Sequence, residues 1–333
     1  MSAKPFLLAA VLLSATLPAP AAPRARPQSG RGGRNPVFVE QPGGASAFSG
    51  RRAFEHVKKL VGFGPRPSGS KALARAREYI REQVGGTLEE WVAETPAGRV
   101  KMANVVAGVK GESEDTVVIA SHYDTKLFKE FEFVGANDGG SSTGALLEIA
   151  RALRLSGKSR LTYRFVFFDG EEAVCREWDE CGKPGAPDNT YGSRHHVGRL
   201  KSRNEFKNVR ALILLDMVGY DDLEIGRDDL GTPWLQDIIW RTARALGYAK
   251  QFVERPESVG GDDHVPFLRA GAPAVDLIQL GTYPHWHTPG DTLDKIAPAS
   301  LKAVGDVVLA SLPRIEEKIL GERPKRKGEG TKR

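Results

Sequence analysis

Short apolar runs rich in β-branched residues alternate along the chain with longer segments in which apolar residues recur at helical spacing. The apolar runs predict buried strands at residues 105–109, 116–120, 161–168, 211–215 and 274–278. The helical spacing predicts helices at residues 70–85, 141–155, 234–246 and 298–319. Because strands and helices alternate, we predict an α/β fold: a three-layer α/β/α sandwich around a mostly parallel central sheet.

The segment 1–22 has the pattern of a secretory signal peptide. Lys4 precedes a largely apolar run at residues 6–17, and the small residues Ala19 and Ala21 suit a cleavage site. A helix that spans a bilayer needs about 20 apolar residues, so this run is too short for a membrane anchor. We therefore predict export, to the periplasm or the exterior, and no membrane span.

The formal net charge of the chain is +6, but the positive charge is concentrated at the two ends. Residues 1–34 and 318–333 each carry a net charge of +5, which leaves −4 for residues 35–317. A mildly acidic body excludes a basic groove, so we expect no nucleic-acid partner. The composition of the ends predicts a disordered basic linker at 23–44 and a basic disordered tail at 321–333.

The two cysteines, Cys175 and Cys181, lie six positions apart. In an exported protein, two neighbouring cysteines usually pair, and we predict a disulfide that closes a short loop. The alternative is half of a metal site. A zinc ribbon needs four such ligands, however, and the chain has two cysteines.

Charged or metal-ligating residues follow the predicted strands at the points where they end. This set comprises His122, the pair Glu171 and Glu172, Asp216 and, after a short loop, His287. Asp138 precedes the predicted helix at 141–155. Because the carboxyl ends of parallel strands meet at one edge of a sheet, we expect these side chains to converge there.

Imidazole nitrogens and carboxylate oxygens are the ligands that a catalytic zinc ion takes from a protein, with one position left open. The candidate ligands are His122, Asp138, Glu172, Asp216 and His287. Successive residues at a strand end point in different directions, so Glu171 is placed as a general acid or base rather than a ligand. Taken alone, each residue has a simpler interpretation: Asp138, for example, could cap a helix.

Six motifs in order carry a resemblance to a known family: SHYDTKLF with FVGANDGG, FFDGEEA, YGSRH, LLDMVG, DDHVPFLRAGAP and WHT. The chain resembles the zinc-dependent aminopeptidases with co-catalytic metals, and most closely the animal-type glutaminyl cyclases that share their fold. The resemblance covers about residues 50–315. It implies that the segment 45–320 is a single zinc-dependent α/β catalytic domain.

The resemblance also implies roles for particular residues. In the cyclases, the counterparts of Asp138, Glu172 and His287 hold one zinc ion, and that of Glu171 transfers the proton. Asp216 and Asp263 would form a hydrogen-bonded acidic pair beside Glu171, and Trp286 and Trp178 would line the substrate pocket. In the aminopeptidases, residues at the positions of His122 and Asp216 join a second zinc ion, with that of Asp138 bridging the two.

The motifs favour a glutaminyl-peptide cyclotransferase, which converts an N-terminal Gln to pyroglutamate and releases ammonia. The run YGSRH, the run at 262–264 and Trp286 are typical of the cyclases, whereas the runs at 137–140 and 287–292 are closer to the aminopeptidases. A zinc aminopeptidase is therefore the alternative, with two zinc ions instead of one. An inactive binding module is a third hypothesis, against which the intact Glu171 argues. We expect a monomer that acts on peptides or proteins with N-terminal Gln.

Overall fold

The computed structural model describes residues 47–157 and 159–322. The predicted signal peptide at 1–22 and the predicted linker at 23–44 lie outside the described residues. Of the predicted tail at 321–333, residues 323–333 also lie outside them. Within the described ranges, no helix is long and apolar enough to cross a membrane.

Two helices and three strands open the domain, and from β3 onward strands and helices largely alternate, as the apolar pattern predicts. The helices are α1 Gly50–Val61, α2 Lys71–Val84, α3 Gly140–Leu155, α4 Tyr191–Ser202, α5 Pro233–Ala245, α6 Val265–Arg269 and α7 Pro298–Gly321. The strands are β1 Thr87–Thr95, β2 Gly98–Val109, β3 Thr116–His122, β4 Thr162–Phe168, β5 Gly182–Lys183, β6 Ala186–Pro187, β7 Val209–Asp216, β8 Ile225–Asp228, β9 Phe252–Glu257 and β10 Ala274–Ile278.

The central sheet has six strands in the order β1-β2-β4-β3-β7-β10. Strands β4, β3, β7 and β10 are parallel to one another, whereas β2 runs antiparallel to both β1 and β4. This arrangement confirms the prediction of a mostly parallel sheet. Strand β2 is longer than the predicted run at 105–109, because its first half pairs with β1.

Helices cover both faces of the sheet, which confirms the three-layer architecture. Side chains alternate between the faces along β3, as the geometry of a strand requires. Val117 and Ile119 belong to the core beneath α1, α2, α3, α5 and α7. Val118 and Ala120 belong to a second core beneath α4 and α6. Residues on both faces are apolar, and for this reason the strand appears as an unbroken apolar run in the sequence.

Helix α2 has a standard residue type at each of its two ends. The Ser70 hydroxyl accepts a hydrogen bond from the backbone N–H of Leu73 at 3.0 Å, which is a standard N-cap. Gly85 ends the helix in the left-handed conformation, with φ of 52°. Ser68, two residues earlier, donates a hydrogen bond to Asp169 at 2.7 Å.

A close approach between α1 and α3 depends on Gly144. A Cβ atom at this position would lie 2.6 Å from Val57 Cγ2 and 2.7 Å from the carbonyl oxygen of Ala53. We predict that Gly144→Ala lowers the free energy of unfolding by about 1–3 kcal/mol, because overpacking forces the two helices apart. Urea denaturation followed by circular dichroism measures this change.

The matched control for this prediction is Gly198→Ala on the exposed side of α4, where no atom lies within 4 Å of the added Cβ. Alanine is the better helix former, so this variant should gain up to about 1 kcal/mol. A Gly144→Ala variant as stable as Gly198→Ala would show that α1 and α3 are not packed as described.

Candidate active site

The carboxyl ends of three adjacent parallel strands supply the centre of the candidate site. His122 is the last residue of β3, Asp216 is the last residue of β7, and Glu171 and Glu172 follow the end of β4. Asp138 lies just before α3, and His287 lies in the loop between β10 and α7. The structure thus brings all five predicted ligands, together with Glu171, to one edge of the sheet.

The first group of possible ligands surrounds His122. Its Nε2 atom lies 3.1 Å from Asp216 Oδ1 and 3.2 Å from Asp138 Oδ1. All three side chains are buried. Burial opposes protonation of His122, but the charges of Asp216 and Glu171 outweigh it and raise its pKa well above the usual value.

The second group surrounds His287 and shares Asp138 with the first. His287 Nε2 lies 3.3 Å from Glu172 Oε1 and 3.4 Å from Asp138 Oδ2. His287 has φ of 53°, a conformation that is rare for a residue with a side chain and that is often found at functional sites. Burial lowers the pKa of His287, but the charge of Glu172 and the hydrogen bond to Asp138 raise it to about 10.

Asp138 therefore stands between the two imidazoles, with one carboxylate oxygen toward each. It does not cap α3, because Gly139 is the N-cap residue and no side chain caps this helix. Ligands about 2.0–2.1 Å from a tetrahedral metal ion lie about 3.3 Å from one another. The imidazole–carboxylate separations here run from 3.1 to 3.4 Å, and all ligand atoms of each group lie within 4.8 Å of one another, so both groups could hold a zinc-like ion.

Asp124, which was not among the predicted site residues, holds the backbone of this centre. Its two carboxylate oxygens accept hydrogen bonds from the backbone N–H groups of Glu171 at 3.2 Å and Glu172 at 3.3 Å. Its Oδ1 atom also lies 3.5 Å from His122 Nδ1. A carboxylate behind a ligating histidine fixes the ring orientation. The only signal in the sequence was its position two residues after His122.

The adjacent glutamates face different partners. Glu172 is directed to His287, as described above, and its Oε1 atom also accepts the backbone N–H of Lys126 at 3.1 Å. Glu171 places Oε2 3.7 Å from His122 Nδ1 and lines the cavity. Burial and the neighbouring charges of Asp262 and Glu172 raise the pKa of Glu171 well above its usual value. A carboxyl of this kind can hold a proton near neutral pH.

The acidic neighbour of Asp216 in the cavity wall is Asp262, one residue before the predicted Asp263. Asp262 lines the cavity with Asp216, and burial together with the charge of Asp216 raises its pKa to about 6. Both oxygens of Asp263 are buried, and among the described residues no hydrogen bond joins them to Asp216. The expected hydrogen-bonded pair of Asp216 and Asp263 is corrected accordingly: in the turn before α6, Asp262 rather than Asp263 lines the cavity with Asp216.

A cavity of about 680 Å³ opens above these residues, a size suited to a small ligand or a peptide end. Both predicted tryptophans line it. Trp286 is 45% exposed and stacks on His287, with ring centres 4.4 Å apart. Trp178 lies against the loop that precedes α6: a Cβ atom added at Gly261 would lie 3.4 Å from its Nε1 atom.

One wall of the cavity is an excursion of the chain at residues 173–189. The Cys175–Cys181 disulfide, as predicted, closes the loop that carries Trp178. At the base of the excursion, the backbone N–H of Thr190 donates to the carbonyl of Glu171 at 2.8 Å. Buried Lys126 also holds the start of the excursion, because its Nζ atom donates hydrogen bonds to the carbonyls of Ala173 at 2.7 Å and Cys175 at 2.9 Å.

The fold and the site together define the class of metal-dependent α/β enzymes with zinc-exopeptidase-like architecture. Residues 104–312 match peptidase family M28. The chain therefore belongs to this family.

The proteins to which the chain is similar include both glutaminyl cyclases and an aminopeptidase. Glutaminyl-peptide cyclotransferase from Drosophila melanogaster is 29% identical over 297 residues, which cover 78% of this chain and 78% of the fly protein. The crystal structure of Acidobacteriales bacterium glutaminyl cyclase is 31% identical with a TM-score of 0.77, and the match covers 84% of this chain and 99% of that one. A leucine aminopeptidase precursor from Bacteroides thetaiotaomicron is 28% identical with a TM-score of 0.72, covering 80% and 98%. The resemblance inferred from the motifs is confirmed.

Lys126 provides a test of how the 173–189 excursion is anchored. Lys126→Met keeps most of the apolar stem but leaves the carbonyls of Ala173 and Cys175 without their donor. We predict a loss of about 1–3 kcal/mol in the free energy of unfolding, measured in urea. The exposed Lys129→Met is the control and should stay within about 0.5 kcal/mol of the parent. Equal stability of the two variants would contradict the anchoring role.

Proposed function

We propose that the protein is a zinc-dependent glutaminyl-peptide cyclotransferase. Its substrates are peptides or proteins with N-terminal Gln, and its products are the pyroglutamyl chain and ammonia. The observation that carries the proposal is the division of labour between adjacent residues. Glu172 belongs to the Asp138–His287 group, whereas Glu171 stands beside it, buried and facing the cavity. The similarity to named glutaminyl cyclases supports the same conclusion.

The reaction needs no external nucleophile. The α-amine of the N-terminal Gln attacks the side-chain amide carbon, a C–N bond closes the five-membered ring, and the original C–NH₂ bond breaks. Because nucleophile and electrophile belong to one residue, correct positioning in the cavity supplies a large part of the rate. Asp138, Glu172 and His287 would hold the zinc ion. When bound, zinc supplies Lewis-acid polarisation of the side-chain carbonyl.

Glu171 moves the proton in this proposal. It takes a proton from the attacking amine and delivers it to the departing ammonia. Its raised pKa suits both transfers near neutral pH. Burial raises the pKa of Glu171 most, and the negative charge of Asp262, in the same wall as Asp216, adds to the rise. Trp178 and Trp286 would pack against the bound N-terminal residue and orient it.

A zinc aminopeptidase is the second candidate, and a specific observation favours it. His122 and Asp216 form a second group of ligands with Asp138, which is the arrangement expected for two ions bridged by one carboxylate. Glu171 would then activate water, and the same cavity would hold a scissile peptide bond. The similarity to a leucine aminopeptidase precursor is in line with this alternative. One scaffold can support both reactions, because they differ in which nucleophile reaches the polarised carbonyl.

The proposal extends to organisation and location. Residues 45–320 would form the single catalytic domain, 1–22 the export signal, 23–44 a basic linker and 321–333 a basic tail. We propose an exported enzyme, periplasmic or secreted, that acts as a monomer. The signal pattern at the N-terminus and the pairing of Cys175 with Cys181 support export, since disulfides persist in oxidising compartments.

One assay separates the two candidate activities. The purified chain is incubated with a Gln-initiated peptide and, separately, with the same peptide initiated by Leu. We predict that the first loses the mass of ammonia without cleavage and that the second is unchanged, with about one zinc ion per chain by elemental analysis. Release of the N-terminal residue, with two tightly held ions, would instead support the aminopeptidase.

The role of Glu171 is tested by a pair of isosteric variants. Glu171→Gln cannot carry a proton but leaves the ligand Glu172 intact, so zinc should stay while kcat for cyclisation falls by about 10²–10⁴-fold. Glu172→Gln should lose zinc together with activity. Elemental analysis and steady-state kinetics measure both quantities. Zinc loss from Glu171→Gln with retention in Glu172→Gln would reverse the two roles.

A further inference from the structure

Two buried side chains of opposite charge form hydrogen bonds to the short segment at residues 134–138. This segment carries Asp138, the carboxylate that both groups of candidate ligands share. On one side, Arg66 is fully buried and donates from Nη1 to the carbonyl of Val134 at 2.8 Å and from Nη2 to that of Gly135 at 3.1 Å. The cation thus satisfies the backbone acceptors at the start of the segment.

On the other side, Asp291 satisfies the backbone donors at the end of the segment. Its Oδ1 atom accepts the N–H of Asn137 at 2.7 Å, and its Oδ2 atom accepts the N–H of Asp138 at 3.0 Å. Asp291 is 1% exposed, and its backbone carbonyl also accepts the N–H of Ala136 at 3.3 Å. The direction of the Asp138 backbone is therefore set by one carboxylate.

Asp291 also joins this segment to the loop that carries His287. Tyr283, which precedes His287 in that loop, donates its hydroxyl to Asp291 Oδ1 at 2.7 Å. Tyr283 and Asp291 thus hold the loop before and after His287. A residue with a positive φ is strained, and contacts of this kind stabilise it. One buried carboxylate consequently fixes the separation between two of the candidate metal ligands.

Arg66 supplies more than a set of donors. It also donates to the carbonyls of Tyr123 at 3.4 Å and Gly64 at 3.2 Å, so it connects the chain after β3 to the 134–138 segment. Burial lowers the pKa of Arg66 to about 10, while the charges of Asp291 and Asp124 oppose this fall. The guanidinium therefore stays charged at neutral pH and offsets the carboxylates around it.

We propose that Arg66 and Asp291 are positioning residues of the metal centre. They act through the 134–138 segment to hold Asp138 where its two oxygens face His122 and His287. They touch neither metal nor substrate. The inference rests on the metal centre used in the proposed function, but it requires no particular substrate.

The test compares the zinc affinity of two variants that undergo the same chemical change. Asp291→Asn replaces one acceptor by an amide that faces a backbone N–H. Asp294→Asn alters an exposed residue three positions further along, whose partners are Thr292 and Lys295. The full chain, freed of metal, is titrated with Zn²⁺ alone against a chromophoric chelator. We expect Asp291→Asn to weaken zinc binding by about 10–100-fold and Asp294→Asn to leave it within twofold.

Two milder variants keep the proposal testable if Asp291→Asn does not fold, which circular dichroism of the metal-free chain reveals. Tyr283→Phe removes one hydrogen-bond donor to Asp291 and keeps the aromatic ring. Arg66→Lys keeps the positive charge but loses the planar guanidinium, which donates from several nitrogen atoms. Each loses hydrogen bonds rather than a ligand, so we expect about a 2–10-fold weaker affinity for zinc.

Folded Asp291→Asn protein with the zinc affinity of Asp294→Asn would overturn the proposal. Parent affinity in both Tyr283→Phe and Arg66→Lys would overturn it as well. Failure of the proposed function gives a different result: a parent chain that binds zinc but does not cyclise a Gln-initiated peptide, with the affinity differences among the variants unchanged.

Discussion

The burial of several carboxylates around two imidazoles is the interaction on which the rest of this centre depends. Asp138, Glu172 and Asp216 are each at most 6% exposed, and like charges at such short range repel one another strongly. Cationic partners relieve this repulsion and make the arrangement stable. Imidazolium groups at His122 and His287 can fill that role, and a metal ion competes with their protons for the same nitrogen atoms. Metal affinity and proton affinity are therefore linked here.

Buried carboxylates are used in two ways in this molecule. Some face the cavity, and others, Asp124 and Asp291, accept backbone N–H groups of the residues that do. Hydrogen bonds from amides stabilise a buried carboxylate, which reduces the cost of placing it there. For Asp291, burial and the charge of Asp138 still raise the pKa to about 6, and the amide donors limit the rise. The centre is thus held rigid by the same kind of group that performs its chemistry.

The elements that bury continuous apolar faces could be predicted from the sequence, as could the ligands that follow them. Strand β3 and helix α3 match the predicted segments closely, because nearly every residue is buried. Helix α1 was not predicted, although Ala53, Val57 and Leu60 recur at helical spacing and form one buried face. Arg66 gave no signal in the sequence, and Asp291 lay within the run at 287–292 without any indication of its contacts. Their partners are backbone atoms distant in sequence, and no side-chain pattern records such contacts.

Two pairs of adjacent acids show where reasoning from sequence reaches its limit. Glu171 and Glu172 follow soon after the end of strand β4, and successive side chains along extended backbone point in different directions, so separate partners could be anticipated. For Asp262 and Asp263, the preceding residues form an irregular loop. Adjacent side chains there are expected to point in different directions, but the sequence does not indicate which of the two faces the cavity. The choice is made by packing: Asp262 lies in the wall with Asp216, while Asp263 is fully buried and does not line the cavity. Residue type and order thus suffice at the end of a regular strand, whereas a site residue in a loop requires the tertiary contacts that orient it.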